Sequence, residues 1–315
     1  MTCHFLDIAD HDNATLTAIL ADADAMKSGG KPHADVLAGK TVAMIFEKPS
    51  TRTRVSFEVG IHQLGGTPLV MRSEEMQLGR GETVADTARV LSGYVDAIMI
   101  RTSRHEILTE LASYASVPVI NGLKDRSHPC HVMADVKTMA ELKAPHHDFS
   151  GLKVAWLGDG NNVAASWIEA ARIMDFNLDL AVPSALAPDD DLMDMVNGTS
   201  IRVVDDPMTA ASDADVIVTD TWSSMGMPGG YSNSGDRQEL LRRYQVNDAV
   251  MAVTKAGSVF MHCLPVYRGQ EATAEVVDGP QSVIWQEAEN RLHVQKAIMA
   301  FCMINGGTGA TGAGA

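Results

Sequence analysis

The run Thr41-Val42-Ala43-Met44-Ile45-Phe46, followed by Ser50-Thr51-Arg52-Thr53-Arg54 and then Val55-Ser56-Phe57-Glu58-Val59, decides the reading of this chain. The first six residues are apolar and suit a buried strand, and the last five open a helix. A helix N-terminus presents unpaired backbone N–H groups and partial positive charge, so cations in its first turn are normally unfavourable. Two arginines and three hydroxyls at that point make sense where an anion sits. A phosphate, held by amides, hydroxyls and guanidinium together, fits best. The plain alternative is a Ser/Thr N-cap followed by two solvated arginines.

The same strand-to-helix rhythm extends outward in both directions. Strands are expected at Thr41–Phe46, Thr67–Met71, Val95–Ile100 and Val117–Ile120, with helices at Arg54–Leu64, Thr83–Gly93, His105–Tyr114 and His131–Lys143. A further helix spans about Ala9 to Ser28. Later strands are expected at Lys153–Leu157, Leu178–Val182, Ile201–Val204, Val216–Thr219 and Ser258–Met261. Apolar strands separated by helices predict an α/β fold with parallel sheets covered on both faces. The 315 residues suit two similar-sized domains of about 150 residues each. The break in pattern from Lys143 to Gly151 puts the boundary at 145/146, giving domains 1–145 and 146–286. Trp285 to Ile304 reads as a long final helix, and 287–305 is expected to pack back on the first domain. The Gly/Ala tail, 306–315, is expected to be disordered.

A net charge of −15, from 25 Lys+Arg against 40 Asp+Glu, argues against nucleic acid and anionic membrane as partners. An acidic protein that binds phosphate must gather its positive charge locally, and Arg52, Arg54 and Arg101 are the candidates. Four cysteines without C-x-x-C pairing argue against a disulfide framework or zinc site and suit a reducing cytoplasm. The first ten residues show no secretory signal, and no apolar run approaches the length of a membrane span.

Several motifs sit just beyond the carboxyl ends of strands, where open α/β sheets bind ligands. Arg101 follows Ala97–Ile100, and His128-Pro129-Cys130-His131 follows Val117–Ile120 through a loop. The two histidines suggest a metal, but no His/Asp/Glu cluster of suitable spacing is visible, and a hydrogen-bonding role for His128 is favoured. Gly158-Asp159-Gly160-Asn161-Asn162-Val163 resembles a dinucleotide fingerprint with Asp179 downstream. Its third glycine is missing and Asp179 falls inside its strand, so two asparagines recognising a small zwitterion are the better reading. Asp220-Thr221-Trp222-Ser223-Ser224-Met225-Gly226 leads into a Gly/Ser-rich stretch whose composition fits a mobile lid. His262-Cys263-Leu264-Pro265 hints at a thiol hydrolase, but neighbours on a strand face opposite ways, which suits His262 poorly as the base for Cys263.

Taken together, these motifs resemble the aspartate/ornithine carbamoyltransferase family. The likeness runs from about His4 to Cys302 through Phe46–Arg54, Asp86-Thr87-Ala88-Arg89-Val90, His128-Pro129, Gly158–Asn162, Ser224-Met225-Gly226 and His262–Pro265, in the family's order. It implies a carbamoyl phosphate domain, an ornithine domain and an active site in the cleft between them. The implied reaction moves the carbamoyl group of carbamoyl phosphate to the δ-amine of ornithine, giving citrulline and phosphate, within arginine metabolism. By the resemblance, Ser50, Thr51, Arg52 and Thr53 hold phosphate, Arg101 bridges phosphate and carbamoyl oxygen, and His128 reaches that oxygen. The Leu264 carbonyl and Arg291 complete the carbamoyl site, and the Leu264-Pro265 bond is expected to be cis. Asn162, Asp220, Ser224 and Met225 bind ornithine, with Cys263 beside the reacting groups. Gln77 lies in a loop expected to reach a neighbouring subunit, which implies a trimer. No metal or organic cofactor is implied.

One departure bears on chemistry. Family members usually carry glutamine at His131, where it contacts the carbamoyl amine. Neutral histidine can accept that bond and protonated histidine cannot. Activity is therefore expected to fall more steeply below pH ~6.5 than in a His131→Gln variant, and parallel pH–rate profiles would refute this. Competing readings are aspartate, acetylornithine or putrescine as acceptor, an NAD(P)-dependent dehydrogenase, and a non-catalytic sensor of phosphate or amino acids.

Overall fold

Two all-parallel sheets carry the fold, one of four strands and one of five. The computed structural model describes residues 2–72, 74, 76, 81–222 and 235–306. In chain order the first part comprises α1 (Asn13–Lys27), β1 (Thr41–Phe46), α2 (Thr51–Gln63), β2 (Thr67–Arg72), α3 (Val84–Ser92), β3 (Ala97–Arg101), α4 (His105–Tyr114) and β4 (Val119–Leu123). Then follow α5 (Pro129–Lys143), β5 (Lys153–Leu157), α6 (Asn162–Met174), β6 (Asn177–Ala181), α7 (Asp190–Val196), β7 (Ile201–Val204) and α8 (Pro207–Ala211). The rest is β8 (Val216–Thr219), α9 (Gly235–Leu241), α10 (Asp248–Ala252), β9 (Val259–His262), α11 (Ala274–Val277) and α12 (Ile284–Asn305).

The first sheet has the order β2-β1-β3-β4 and the second β7-β6-β5-β8-β9. Each order reverses once, between β1 and β3 and between β5 and β8, and a crevice opens at such a reversal. The central strands are apolar on both faces because helices cover both. Val42 to Ile45, Ala97 to Ile100 and Val154 to Leu157 are all buried. Ala43, Ile45, Ile98, Ile100, Leu108 and Leu111 build one core, and Ala155, Leu157, Ile217, Phe260, Val250 and Val276 build another. The edge strand β2 is only half buried, with Leu69 exposed, as an unpaired side allows.

Polar side chains set where helices start. Asp12 accepts from the Thr15 amide at 2.8 Å, so α1 begins at Asn13 and not near Ala9. Helix α2 begins at Thr51, three residues before the expected start, with Ser50 as N-cap. Thr51, Arg52 and Thr53 therefore form its first turn.

By packing, the chain falls into two units. One runs to Cys130 and takes in the chain from Arg291 onward, and the other is His131–Asn290. The first change of unit lies inside α5 and not at the composition break near Pro145. Helix α5 is tied to the start of α12: Asn290 Nδ2 donates to Thr138 Oγ1 at 2.8 Å, and Gln286 Nε2 to Glu141 Oε2 at 2.7 Å. Beyond Arg291, α12 lies against α2. A Cβ at Gly60 would meet Lys296 and Met299 at 3.2 Å, so glycine lets the helices approach. The tail after Gly306 lies outside the described residues. Among the described residues no helix is long and apolar enough to cross a membrane.

Candidate active site

In the first unit, the segments after β1 and β3 meet across the sheet reversal. Phe46 and Arg101 are register partners at the strand ends. Ser50 caps α2 without a side-chain capping bond, so the first-turn amides are not consumed by that hydroxyl. Thr53 is buried, and two guanidiniums converge on its hydroxyl. Arg291 donates at 2.9 Å and Arg101 at 3.3 Å. Arg54 is not part of this group. It is exposed and pairs with Glu58 at 3.4 Å, because residues two apart on a helix point about 200° apart.

Two supports hold this arrangement. Glu47 accepts from Thr102 Oγ1 at 2.6 Å and the Ser103 amide at 3.0 Å, fixing the turn after Arg101 to the turn after β1. Buried His128 stands at the end of a loop locked by Asp7, which accepts from Lys124 at 2.5 Å and from Ser127. Asn121 Nδ2 donates to Ser127 Oγ at 3.1 Å. Cys130, next to His128 in the chain but for Pro129, is structural. Its thiol donates to the Asn121 carbonyl at 3.2 Å, and burial pushes its pKa up to about 12.

In the second unit, the segments after β5, β8 and β9 converge on Asp220. One of its oxygens accepts from Asn161 Nδ2 at 2.7 Å. The other accepts from the Thr221 amide at 2.6 Å and from Cys263 Sγ at 2.7 Å. Asn161 also caps α6 by accepting from the Val163 and Ala164 amides at 2.9 and 3.1 Å. Asn162 is the first residue of that helix. Burial, then the charge and hydrogen bond of Asp220, then Glu287 and Asp135, hold the Cys263 thiol pKa well above its ordinary value. Cys263 is thus a proton donor and not a thiolate nucleophile.

His262 is no base for it. Its Nδ1 accepts from the Leu264 amide at 2.9 Å, and its Nε2 faces buried Glu271 at 3.2 Å. Leu264 has a φ of +56° and precedes a cis bond to Pro265, in line with expectation.

Asp159 lies close by, bonded to Arg237. Burial raises its pKa to about 6, against the pull of Arg237 and with a further push from Asp220. The dinucleotide reading of this turn fails on space and charge. A Cβ on Gly160 would sit 2.4 Å from the Leu186 carbonyl oxygen, so that glycine serves the chain's own packing. Asp179 is buried in β6 and takes both its partners from the sheet, with Arg202 at 2.6 and 2.7 Å and Lys153 at 2.9 Å.

His131 also belongs to the second unit. Its Nε2 faces Asp135 at 3.3 Å and Glu287 at 3.5 Å, all three residues being buried. Contrary to the sequence expectation, a His/Asp/Glu cluster does stand beside it. The signal was present as His131 and Asp135 one helical turn apart, but Glu287 is remote in sequence. Glu47, Arg237 and Asp7 carry no local sign in the sequence, and Asn161, read there as one of two asparagines recognising a zwitterion, caps α6 and donates to Asp220. Gln77, Ser224, Met225 and the proposed lid lie outside the described residues.

Comparison with known proteins finds two consecutive domains of one family. Residues 3–141 match the carbamoyl-P binding domain of aspartate/ornithine carbamoyltransferase, and residues 150–302 match its Asp/Orn binding domain. The chain is 56% identical over 309 residues to the ornithine carbamoyltransferase of Nitrobacter winogradskyi, covering 96% of this chain and 98% of that one. Its structure is similar to the ornithine carbamoyltransferase of Pyrococcus furiosus, with a TM-score of 0.88, 45% identity, and coverage of 95% and 96% of the two chains. An N-acetyl-L-ornithine transcarbamylase is also similar, with a TM-score of 0.83 and 33% identity, covering 95% of this chain and 99% of that one.

Proposed function

We propose, from the premise that the chain belongs to the aspartate/ornithine carbamoyltransferase family, that it transfers the carbamoyl group of carbamoyl phosphate to the δ-amine of L-ornithine. The products are L-citrulline and phosphate. The observation that carries the reading is the convergence of Arg101 and Arg291 on the Thr53 hydroxyl in the first turn of α2. It is a built anion cradle in a chain of net charge −15.

The donor's phosphate sits on the α2 amides with Ser50, Thr51, Arg52 and Thr53. Arg101, His128 and Arg291 attend the carbamoyl oxygen, and the Leu264 carbonyl and His131 attend its amine. Asn162, Asp220, Ser224 and Met225 hold ornithine. A free alkylamine titrates near ~10.4, so the amine must reach the carbon neutral to be a nucleophile. Asp220 draws the ammonium in and takes its first proton through the Cys263 thiol, which receives that proton as it passes its own to the carboxylate, and the carboxylate then releases it to solvent. The new C–N bond forms as the C–O bond to phosphate breaks, and the departing phosphate takes up the proton lost by nitrogen. Negative charge gathers on the carbonyl oxygen meanwhile, where the guanidiniums stabilise it; one such donor is worth about 3–4 kcal/mol.

We further place the enzyme in the cytoplasm as a homotrimer, with Gln77 serving a neighbouring subunit. Four unpaired cysteines suit a reducing compartment. The deciding assay is phosphate release from carbamoyl phosphate with ornithine, aspartate, putrescine and acetylornithine compared side by side. Ornithine is expected to be preferred by orders of magnitude. Preference for acetylornithine would move the chain to that reaction, and NAD(P) binding by fluorescence titration would revive the dehydrogenase reading.

A further inference from the structure

The cluster His131, Asp135 and Glu287 goes beyond the proposed transfer reaction, which uses only His131 of the three and calls for no metal. Its three ligand atoms lie within 4.8 Å of one another. His131 and Asp135 project from the same face of α5, one turn apart, and Glu287 comes from the first turn of α12. We propose that these three side chains bind a divalent first-row transition-metal ion of the zinc class.

Distances favour this over a simple ion pair. A charge-assisted N–H···O bond closes to about 2.7–2.9 Å. The Nε2 to carboxylate separations are instead 3.3 and 3.5 Å. Tetrahedral ligands at bond lengths of about 2.0–2.2 Å stand about 3.4 Å apart along each edge, which matches the two edges from His131 Nε2, while the Asp135–Glu287 edge lies within 4.8 Å. The donor set points the same way. One imidazole with two carboxylates suits zinc, cobalt or manganese better than calcium, which takes six to eight oxygens. Two carboxylates and a neutral imidazole also balance a divalent charge.

Glu287 is oriented as a ligand should be. Its Oε2 accepts from the His262 amide at 2.8 Å, which turns Oε1 toward His131. Outer partners of this kind fix metal-binding carboxylates. Cys263 is excluded from the ligand set, because its thiol is engaged by Asp220. Three protein donors leave a fourth position for water or another small ligand.

The test is a titration of metal-stripped full-length protein with Co²⁺. One Co²⁺ per chain is expected, with the strong visible absorption of tetrahedral coordination, reversed by Zn²⁺. His131→Gln and Asp135→Asn should each weaken binding at least about 10-fold, while Cys263→Ser retains it. Circular dichroism and urea unfolding establish that each variant is folded. Absence of saturable tetrahedral absorption in the wild type would overturn the proposal without any variant. So would binding unchanged by His131→Gln, or binding abolished by Cys263→Ser.

Discussion

The first sheet brings Ser50, Thr53 and Arg101 to the ends of β1 and β3, and α12 adds Arg291. The second brings Asp159, Asn161 and Asp220 to the ends of β5 and β8, and β9 adds Cys263. The positions correspond, because both sheets reverse order at those strand pairs. The chemistry is opposite. Guanidiniums and hydroxyls fill the first, whereas carboxylates, an amide and a thiol fill the second. A sheet reversal therefore supplies a place and not a specificity; the turn sequences that follow each strand decide which sign of ligand is welcome.

The largest expected effect comes from the cationic side. Arg101→Ala should lower kcat by about 10²–10³-fold, the cost of one transition-state donor. Ornithine binding by calorimetry should remain within a few-fold. Equal loss of both would break the division of labour between the sheets. Asp220→Asn is the mirror test. It should reduce kcat/KM for ornithine by about 10–100-fold, as befits a hydrogen bond to a charged group. Affinity for carbamoyl phosphate should hold, and a variant weakened toward the donor instead would contradict the assignment.

Asp159 sharpens the comparison through pH. Its folded pKa of about 6 lies above its ordinary 3.8. Between those values the folded state binds more protons than the unfolded state, so this carboxyl lowers stability as pH rises across that window. Wild type minus Asp159→Asn, by urea unfolding at several pH values, should decline by about 2 kcal/mol from pH 4 to pH 6.5 and then level off. Parallel stability curves would show that Arg237 already compensates the charge. The smallest effect is Asn161→Ala, which removes a helix cap and a tether of Asp220. About 1 kcal/mol of stability should go, with a several-fold rise in KM for ornithine. An unchanged KM would mean that Asp220 needs no such support.

Much of this was readable in advance for a physical reason. Strands β1, β5, β7 and β8 are short runs, apolar but for Lys153, Arg202 and end threonines, that begin and end abruptly, so their limits could be read directly. Helix α2 was read too short because its first turn is polar, and hydroxyls and arginines carry no amphipathic signal. Arg54 was overrated, although helical geometry alone sets it away from Arg52. The supports of the site were hidden, since Glu47 with Thr102 and Asn161 with Asp220 join residues more than 50 positions apart. Nothing in a linear pattern announces such a pairing.

Among the described residues Asp220 already accepts from three donors, the Asn161 amide, the Thr221 N–H and the Cys263 thiol. Of its three donors the sulfhydryl is the weakest, and so the cheapest to exchange. An arriving ammonium can displace it while the amide and backbone contacts keep the carboxylate still. On the proposed function, the carboxylate that meets ornithine therefore need not reorganise to do so, and the displaced thiol stays beside it.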